Sequence, residues 1–296
     1  GNDFVVIDAR KTPRTFSHRA LERIADRRFG IGCDQVIVLE NSAKGDAFMR
    51  IFNPDASEVS ACGNATRCIG ALLVQERGTP EQQGKHEEQD VHEEQHVHAA
   101  RIETRAGLLL ATLNTDGTVT VDMGLPRLGW NEIPLNNNTA SDTARDTARV
   151  AFPEAPALSR HLPDWFSAVS MGNPHAIFFV ADVDGFPLEQ LGARLETDPL
   201  FPEKANISLV QQTGPAAFKV RVWERAAGIT LACGTAACAV AVAAARLGLA
   251  SGTLSITLPG GTLSIARDAR GHVMMSGPVA TSFTGVIDPS LLAGLT

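Results

Sequence analysis

The 296-residue sequence carries no excess of basic residues. Its net charge of −7 leaves no chain-wide cationic surface for nucleic acid or anionic lipid. Long hydrophobic runs are missing too. The longest, an alanine-rich stretch from Leu231 to Ala245, is closed by Arg246 and falls short of the ~18–20 residues that span a bilayer. The sequence shows no secretory signal and no C-x-x-C pair. Its five cysteines are odd in number and irregular in spacing. That excludes a disulfide scaffold or a dithiol redox module, and points to thiols in a reducing compartment, the cytoplasm. Neither a nucleic acid nor a membrane is expected as a partner.

What remains is an ordinary globular composition, 44% hydrophobic and 20% charged, long enough for about two domains. It hides a repeat. A shift of 171 residues lays Gly1-Asn2 on Gly172-Asn173, Gln35 on Asn206, residues 52–61 on 223–232, and Cys62-Gly63 on Cys233-Gly234. Farther along, Gly107 meets Gly261 and Gly117 meets Gly271 at a shift of 154, so the first half holds about seventeen extra residues. Their place is visible: His-Glu-Glu-Gln-Asp-Val at 86–91 is followed at once by His-Glu-Glu-Gln-His-Val at 92–97. The surrounding segment, 78–99, is polar and reads as a solvated insertion.

The reading that follows is a mixed α/β (α+β) chain of two pseudo-symmetric lobes. Residues 1–125 form the first lobe, 126–164 a connector, 165–285 the second lobe and 286–296 a tail. Residues 4–8, 36–39 and 48–52 are rich in β-formers, as are 177–180, 207–210 and 218–223. Small-residue helices are expected over 63–75 and 234–247, apolar nearly all round and therefore buried. Hairpins over 108–123 and 262–275 turn at Asp116-Gly117 and Arg270-Gly271. Each lobe is thus a strand-rich wrap around a central helix, with the active site expected in the cleft between lobes.

The chemistry lies in the matched cysteines. Cys62 and Cys233 each stand between a strand and a helix start, where unpaired N–H groups and the helix dipole favour a thiolate. The residues that follow, Gly63-Asn64 and Gly234-Thr235, offer N–H donors to a carboxylate. Inverting a carbon needs a base on one face and an acid on the other. Two sulfurs brought to one carbon by pseudo-symmetry would supply both. Cys33, Cys68 and Cys238 do not match across the repeat and read as small core hydrophobes. Arg50 and Arg221 do match, and read as structural ion-pair partners.

These strings resemble the diaminopimelate epimerase family over almost the whole chain. The resemblance rests on Gly1-Asn-Asp-Phe4, Gly30-Ile-Gly-Cys-Asp-Gln35, Arg50-Ile-Phe-Asn-Pro-Asp55, Ser57-Glu58 and Ala61-Cys-Gly-Asn64. In the second half it rests on Met171-Gly-Asn-Pro-His175, Ala205-Asn206, Glu224-Arg225, Ala232-Cys-Gly-Thr235 and Leu258-Pro-Gly-Gly261. It implies an isomerase of lysine and peptidoglycan precursor biosynthesis. Such an enzyme epimerises LL-2,6-diaminopimelate to the meso form with neither metal nor pyridoxal phosphate. By the same resemblance Cys62 donates and Cys233 accepts a proton in that direction. Glu224 takes the nearby ammonium and, with His175, tunes the thiols. Backbone N–H groups of Gly63, Asn64, Gly234 and Thr235 hold the carboxylate. Asn2, Gln35, Asn53, Asn173, Asn206 and Arg225 complete the pocket and read the far end. The expected partners are a small amino-acid substrate and a second copy in a homodimer. The sequence departs from the family at Ala65 and Ala236, where glycine is usual, and at Ile229, where glutamate is.

Two rivals are weaker. His92-Glu-Glu-Gln-His96 fits the zinc-hydrolase pattern, but it sits in a low-complexity duplicate without an apolar helix face or a third ligand. A proline-type two-cysteine racemase would have no use for Arg225 and its surrounding amides.

Overall fold

The computed structural model describes residues 1–78, 98–136 and 146–295. The polar duplicate at 79–97 lies outside the described residues, as does part of the expected connector, 137–145. The chain divides into two compact units, Asn2–Asp122 with Gly277–Thr296, and Met123–Ser276 with Gly1.

In the N-terminal unit, β1 (Phe4–Asp8) runs parallel to β2 (Gln35–Glu40), with Phe4 opposite Gln35. β2 is antiparallel to β3 (Ala47–Phe52), with Val36 opposite Phe52. β3 then pairs with the short β4 (Glu58–Val59) and, in parallel, with β5 (Ala99–Thr104). β6 (Gly107–Leu113) and β7 (Val119–Asp122) complete a meander. The β-branched run Val36-Ile-Val fits this pleated surface and is wholly buried. α1 (His18–Ala25) starts where the Ser17 hydroxyl accepts from the Ala20 N–H, and lays Leu21 and Ile24 against Val36, Val38 and Phe52. α2 (Gly63–Arg77) is the central helix. It packs on β5, β6 and β7, burying Ala65, Ile69, Leu73 and Val74. Gly70 lets it approach β6, since a Cβ there would overlap the Ala111 methyl.

The C-terminal unit repeats the plan. After β8 (Val150–Ala151), α3 (Ala155–Leu158) and β9 (Trp165–Ser170), β10 (Pro174–Phe179) runs parallel to β11 (Asn206–Gly214). α4 (Leu188–Glu196) lies between them in sequence, as α1 does between β1 and β2. β12 (Ala217–Glu224), β13 (Gly228–Thr230), the central helix α5 (Gly234–Arg246), β14 (Leu254–Leu258), β15 (Gly261–Arg267) and β16 (Val273–Gly277) follow.

The ladders carry the repeat residue by residue. Phe4 opposite Gln35 becomes His175 opposite Asn206, and Val36 opposite Phe52 becomes Ile207 opposite Trp223. Beyond the insertion, Ile102 opposite Leu109 becomes Ile256 opposite Leu263, and Ala111 opposite Val121 becomes Ile265 opposite Met275. The result is the strand-rich α+β architecture with few helices.

The segments read from sequence as connector and tail both have packing partners. Trp130, Ile133, Leu135, Val150 and Phe152 join the core built on Phe166 and Phe178, and Ile287 and Leu292 pack on the α1 core. Each fully buried phenylalanine there contributes about 1.5–3 kcal/mol of transfer free energy. Among the described residues, no helix is long and apolar enough to cross a membrane.

Candidate active-site residues

Each central helix begins at a cysteine. Cys62 is the N-cap of α2 at φ −147°, ψ 112°, and Cys233 is the N-cap of α5 at φ −137°, ψ 105°. The near-identical backbone shows that the two positions are equivalent within their own units. In both, the cysteine carbonyl accepts the first helical hydrogen bond, from Thr66 N–H at 2.9 Å and from Ala237 N–H at 3.1 Å. The N–H groups of Gly63-Asn64 and of Gly234-Thr235 fall in the first helical turn, which has no intrahelical acceptors of its own. They are suited to bind a carboxylate. Ala65 and Ala236, fully buried, continue the helices just behind them.

In the C-terminal unit the expected residues fall into two hydrogen-bonded groups on neighbouring stretches of chain. Cys233 Sγ lies 3.4 Å from the Thr235 hydroxyl, and Asn173 Nδ2 donates to that hydroxyl at 3.3 Å. Asn173 Oδ1 is 3.0 Å from His175 Nε2. Asn206 Nδ2 donates to the Pro174 carbonyl at 2.9 Å, while its Oδ1 accepts the Arg225 N–H at 2.9 Å. The Arg225 guanidinium donates to the Glu203 carbonyl at 3.1 Å. Thr230 donates to the Glu224 carboxylate at 2.5 Å, and that carboxylate also meets the Cys233 thiol.

The N-terminal unit holds two smaller groups. Asn64 Nδ2 donates to Asn2 Oδ1 at 2.5 Å, and Asn2 Nδ2 donates to Asp34 at 3.0 Å. Gln35 Nε2 donates to Asn53 Oδ1 at 3.0 Å, and Asn53 Nδ2 donates to Ser57 at 3.1 Å. Cys62 is half-buried at the head of α2.

Electrostatics departs from the sequence expectation at Cys233. A helix start predicts an acidified thiol. Burial instead pushes the Cys233 thiol well above its ordinary range, and the Glu224 carboxylate pushes it further; the Thr235 hydroxyl and Ala236 N–H draw it back. Desolvation opposes the thiolate more strongly than these donors favour it. His175 is driven the other way, down to about 3, by complete burial and then by the Arg225 charge. It is therefore neutral at working pH, with Nε2 carrying the hydrogen toward Asn173. Its Nδ1 is buried without a hydrogen-bond partner. As an imidazole that stays neutral near neutral pH, it suits a fixed donor better than an acid or base.

Sequence reasoning missed Thr230, Asp34 and Ser57, which bond the expected residues directly. Asp34 and Ser57 lie inside the quoted strings and so had a signal; Thr230 had none. Of the remaining cysteines, Cys33 and Cys238 are buried in the cores of their units, as read, whereas Cys68 on α2 is only half-buried; the thiols of Cys33 and Cys68 are raised, chiefly by burial. Arg50 makes a two-point pair with Glu58 at 2.9 and 3.1 Å, and Arg221 pairs with Glu189 at 2.6 Å.

A diaminopimelate epimerase family profile matches residues 1–129 and 167–281. The chain belongs to the diaminopimelate epimerase family. The diaminopimelate epimerase of Rhodospirillum centenum is 46% identical over 99% of this chain and 91% of its own length. That of Methylorubrum populi is 46% identical over the whole chain and 94% of its own. Among solved structures, a Bacillus anthracis phenazine biosynthesis protein of the PhzF family aligns with TM-score 0.61 at 19% identity, covering 94% of this chain and 90% of that one. A hydroxyproline epimerase from Agrobacterium vitis aligns with TM-score 0.52 at 15% identity, covering 88% and 77%. At such identities these two structures speak to the fold alone, which this chain shares with both.

Proposed function

We propose that this protein epimerises LL-2,6-diaminopimelate to meso-diaminopimelate, using Cys62 and Cys233 as the acid and base. The observation that carries this reading is the pair of matched cysteine N-caps, set in a chain that follows the diaminopimelate epimerase family along its length. The reaction is redox-neutral. One thiolate removes the α-proton, and the thiol of the other cysteine delivers a proton to the opposite face. The carbanion is held as an enolate-like carboxylate by the N–H groups of Gly63, Asn64, Gly234 and Thr235, which act most strongly as charge develops. The chemistry requires both sulfurs to reach one carbon when substrate is bound, each within about 3–3.5 Å.

The raised Cys233 thiol fits this scheme if substrate itself activates it. The substrate ammonium pairs with Glu224 and offsets the carboxylate charge that holds the proton on sulfur. The thiol then ionises more readily and accepts the α-proton. Asn2, Gln35, Asn53, Asn173 and Asn206 supply amide donors and acceptors to the zwitterionic ends, and Arg225 grips the distal carboxylate. His175, neutral, fixes Asn173 and through it Thr235.

These groups are all protein groups, so the reading assigns no cofactor. It places the enzyme in the cytoplasm, where the thiols stay reduced, and as a homodimer, for which the exposed Leu108 and Leu110 of β6 offer an apolar surface. The purified chain should epimerise LL-diaminopimelate equally with and without added pyridoxal phosphate, and after treatment with a chelator. Activity that chelation abolishes and zinc restores contradicts the cofactor-free reading. Sedimentation at the mass of a single 31.4 kDa chain contradicts the dimer.

A further inference from the structure

The turn that carries Glu224 and Arg225 is held at both flanks by one buried carboxylate. Glu196, the last residue of α4, is 6% exposed. Its Oε2 accepts the indole N–H of Trp223 at 2.8 Å, and its Oε1 accepts the backbone N–H of Ala226 at 3.0 Å. Trp223 and Ala226 are the residues immediately before and after Glu224-Arg225. Ala226 sits at φ +63°, a left-handed conformation that costs an alanine free energy unless its surroundings hold it there. The bond from its N–H to Glu196 is such a hold.

The same helix cradles the indole. Gly192 lies one helical turn before Glu196 on the same face, and a Cβ there would overlap the Trp223 ring. The ring can lie against α4 only because residue 192 has no side chain. Lys204 Nζ, 3.7 Å from Glu196 Oε1, supplies the nearest countercharge. From the other side, Asn206 holds the Arg225 N–H.

We infer that Glu196 is a positioning residue, which sets the pose of Glu224 and Arg225 toward the substrate by clamping Trp223 and Ala226 together. The inference rests on the assignment of Glu224 and Arg225 to substrate binding. A carboxylate is the side chain for the task, because both groups it meets are N–H donors. Glutamine has nearly the same shape, but its amide turns an NH2 toward one of the two donors, leaving that N–H unpaired and the turn free to move. Glu196 bonds neither reacting thiol and reaches Cys233 only through Glu224, so the larger part of the loss falls on binding.

The test is steady-state kinetics of Glu196→Gln with LL-diaminopimelate, alongside thermal melting. The expected result is a KM raised tenfold or more, kcat within about threefold of the unsubstituted enzyme, and cooperative melting retained. Trp223→Phe removes only one of the two donors; it should raise KM by a smaller factor, and adding it to Glu196→Gln should raise KM no further. A KM within twofold of the parent in Glu196→Gln, or in Trp223→Phe should the glutamine variant not fold, overturns the inference. Fully multiplicative KM effects in the double variant overturn it too, since two donors on one clamp cannot act independently. An unsubstituted chain that fails to epimerise diaminopimelate would instead refute the functional reading, before any variant is compared.

Discussion

At the scale of single residues, the balance of burial against local donors sets how the two ends of the Cys233–His175 network behave. The Cys233 thiol is raised by burial and by Glu224, and lowered by Thr235. Its thiolate fraction therefore grows only as pH rises beyond the ordinary thiol range, and kcat/KM should still be climbing on the alkaline side. Thr235→Ala removes a donor and should move this limb to higher pH. Glu224→Gln removes a like charge and should move the thiol's own titration to lower pH, even as it weakens substrate binding. Thiolate ultraviolet absorbance, taken as the difference from Cys233→Ser, reads both shifts directly; a shift in the reverse direction in either variant contradicts the assignment. His175 gives a second prediction. Its pKa in the folded chain is about 3, below the ordinary 6.5, so the unfolded chain takes up this proton first as pH falls. Stability is then lost progressively between about pH 6.5 and pH 3, by up to roughly 1.4 kcal/mol per pH unit from this one group. Urea titrations over that window should show a shallower acid slope in His175→Gln than in the parent; equal slopes would mean that the buried imidazole is not the cause.

At the scale of elements, much was legible and the reasons are specific. The strand at 36–39 announces itself by a β-branched run and that at 207–210 by a short apolar stretch, and the central helices by small residues after a cysteine. α1 and α4 were not legible. They are 8 and 9 residues long, and each buries only a few positions. Glu196 could not be singled out for the same reason: nothing in Leu-Glu-Thr-Asp shows that an indole N–H will lie against it. The direction of the Cys233 shift was equally hidden, because a helix start is written in sequence whereas the depth of burial is a product of the whole unit. The close seat of α2 on β6 makes a prediction here. Gly70→Ala gains helix propensity worth up to about 1 kcal/mol, but its methyl meets that of Ala111. Overpacking of this kind costs about 1–3 kcal/mol, so net destabilisation is expected in urea unfolding. A more stable Gly70→Ala protein would show that α2 can lift from the sheet without cost.

At the scale of the whole molecule, the repeat organises the account. The same ladder register recurs in both units, and each places one cysteine at the head of its central helix. Pseudo-symmetry legible as a sequence shift thus becomes two equivalent thiol positions, one in each unit. The central claim is that each thiol serves one face. Solvent deuterium incorporation at the α-carbon of LL-diaminopimelate tests it most directly. The unsubstituted enzyme should deposit deuterium at the inverted centre, and Cys62→Ala and Cys233→Ala should each abolish inversion, since each removes the group on one face. A Cys62→Ala or Cys233→Ala protein that still inverts the centre at near the parent rate would contradict the two-base account.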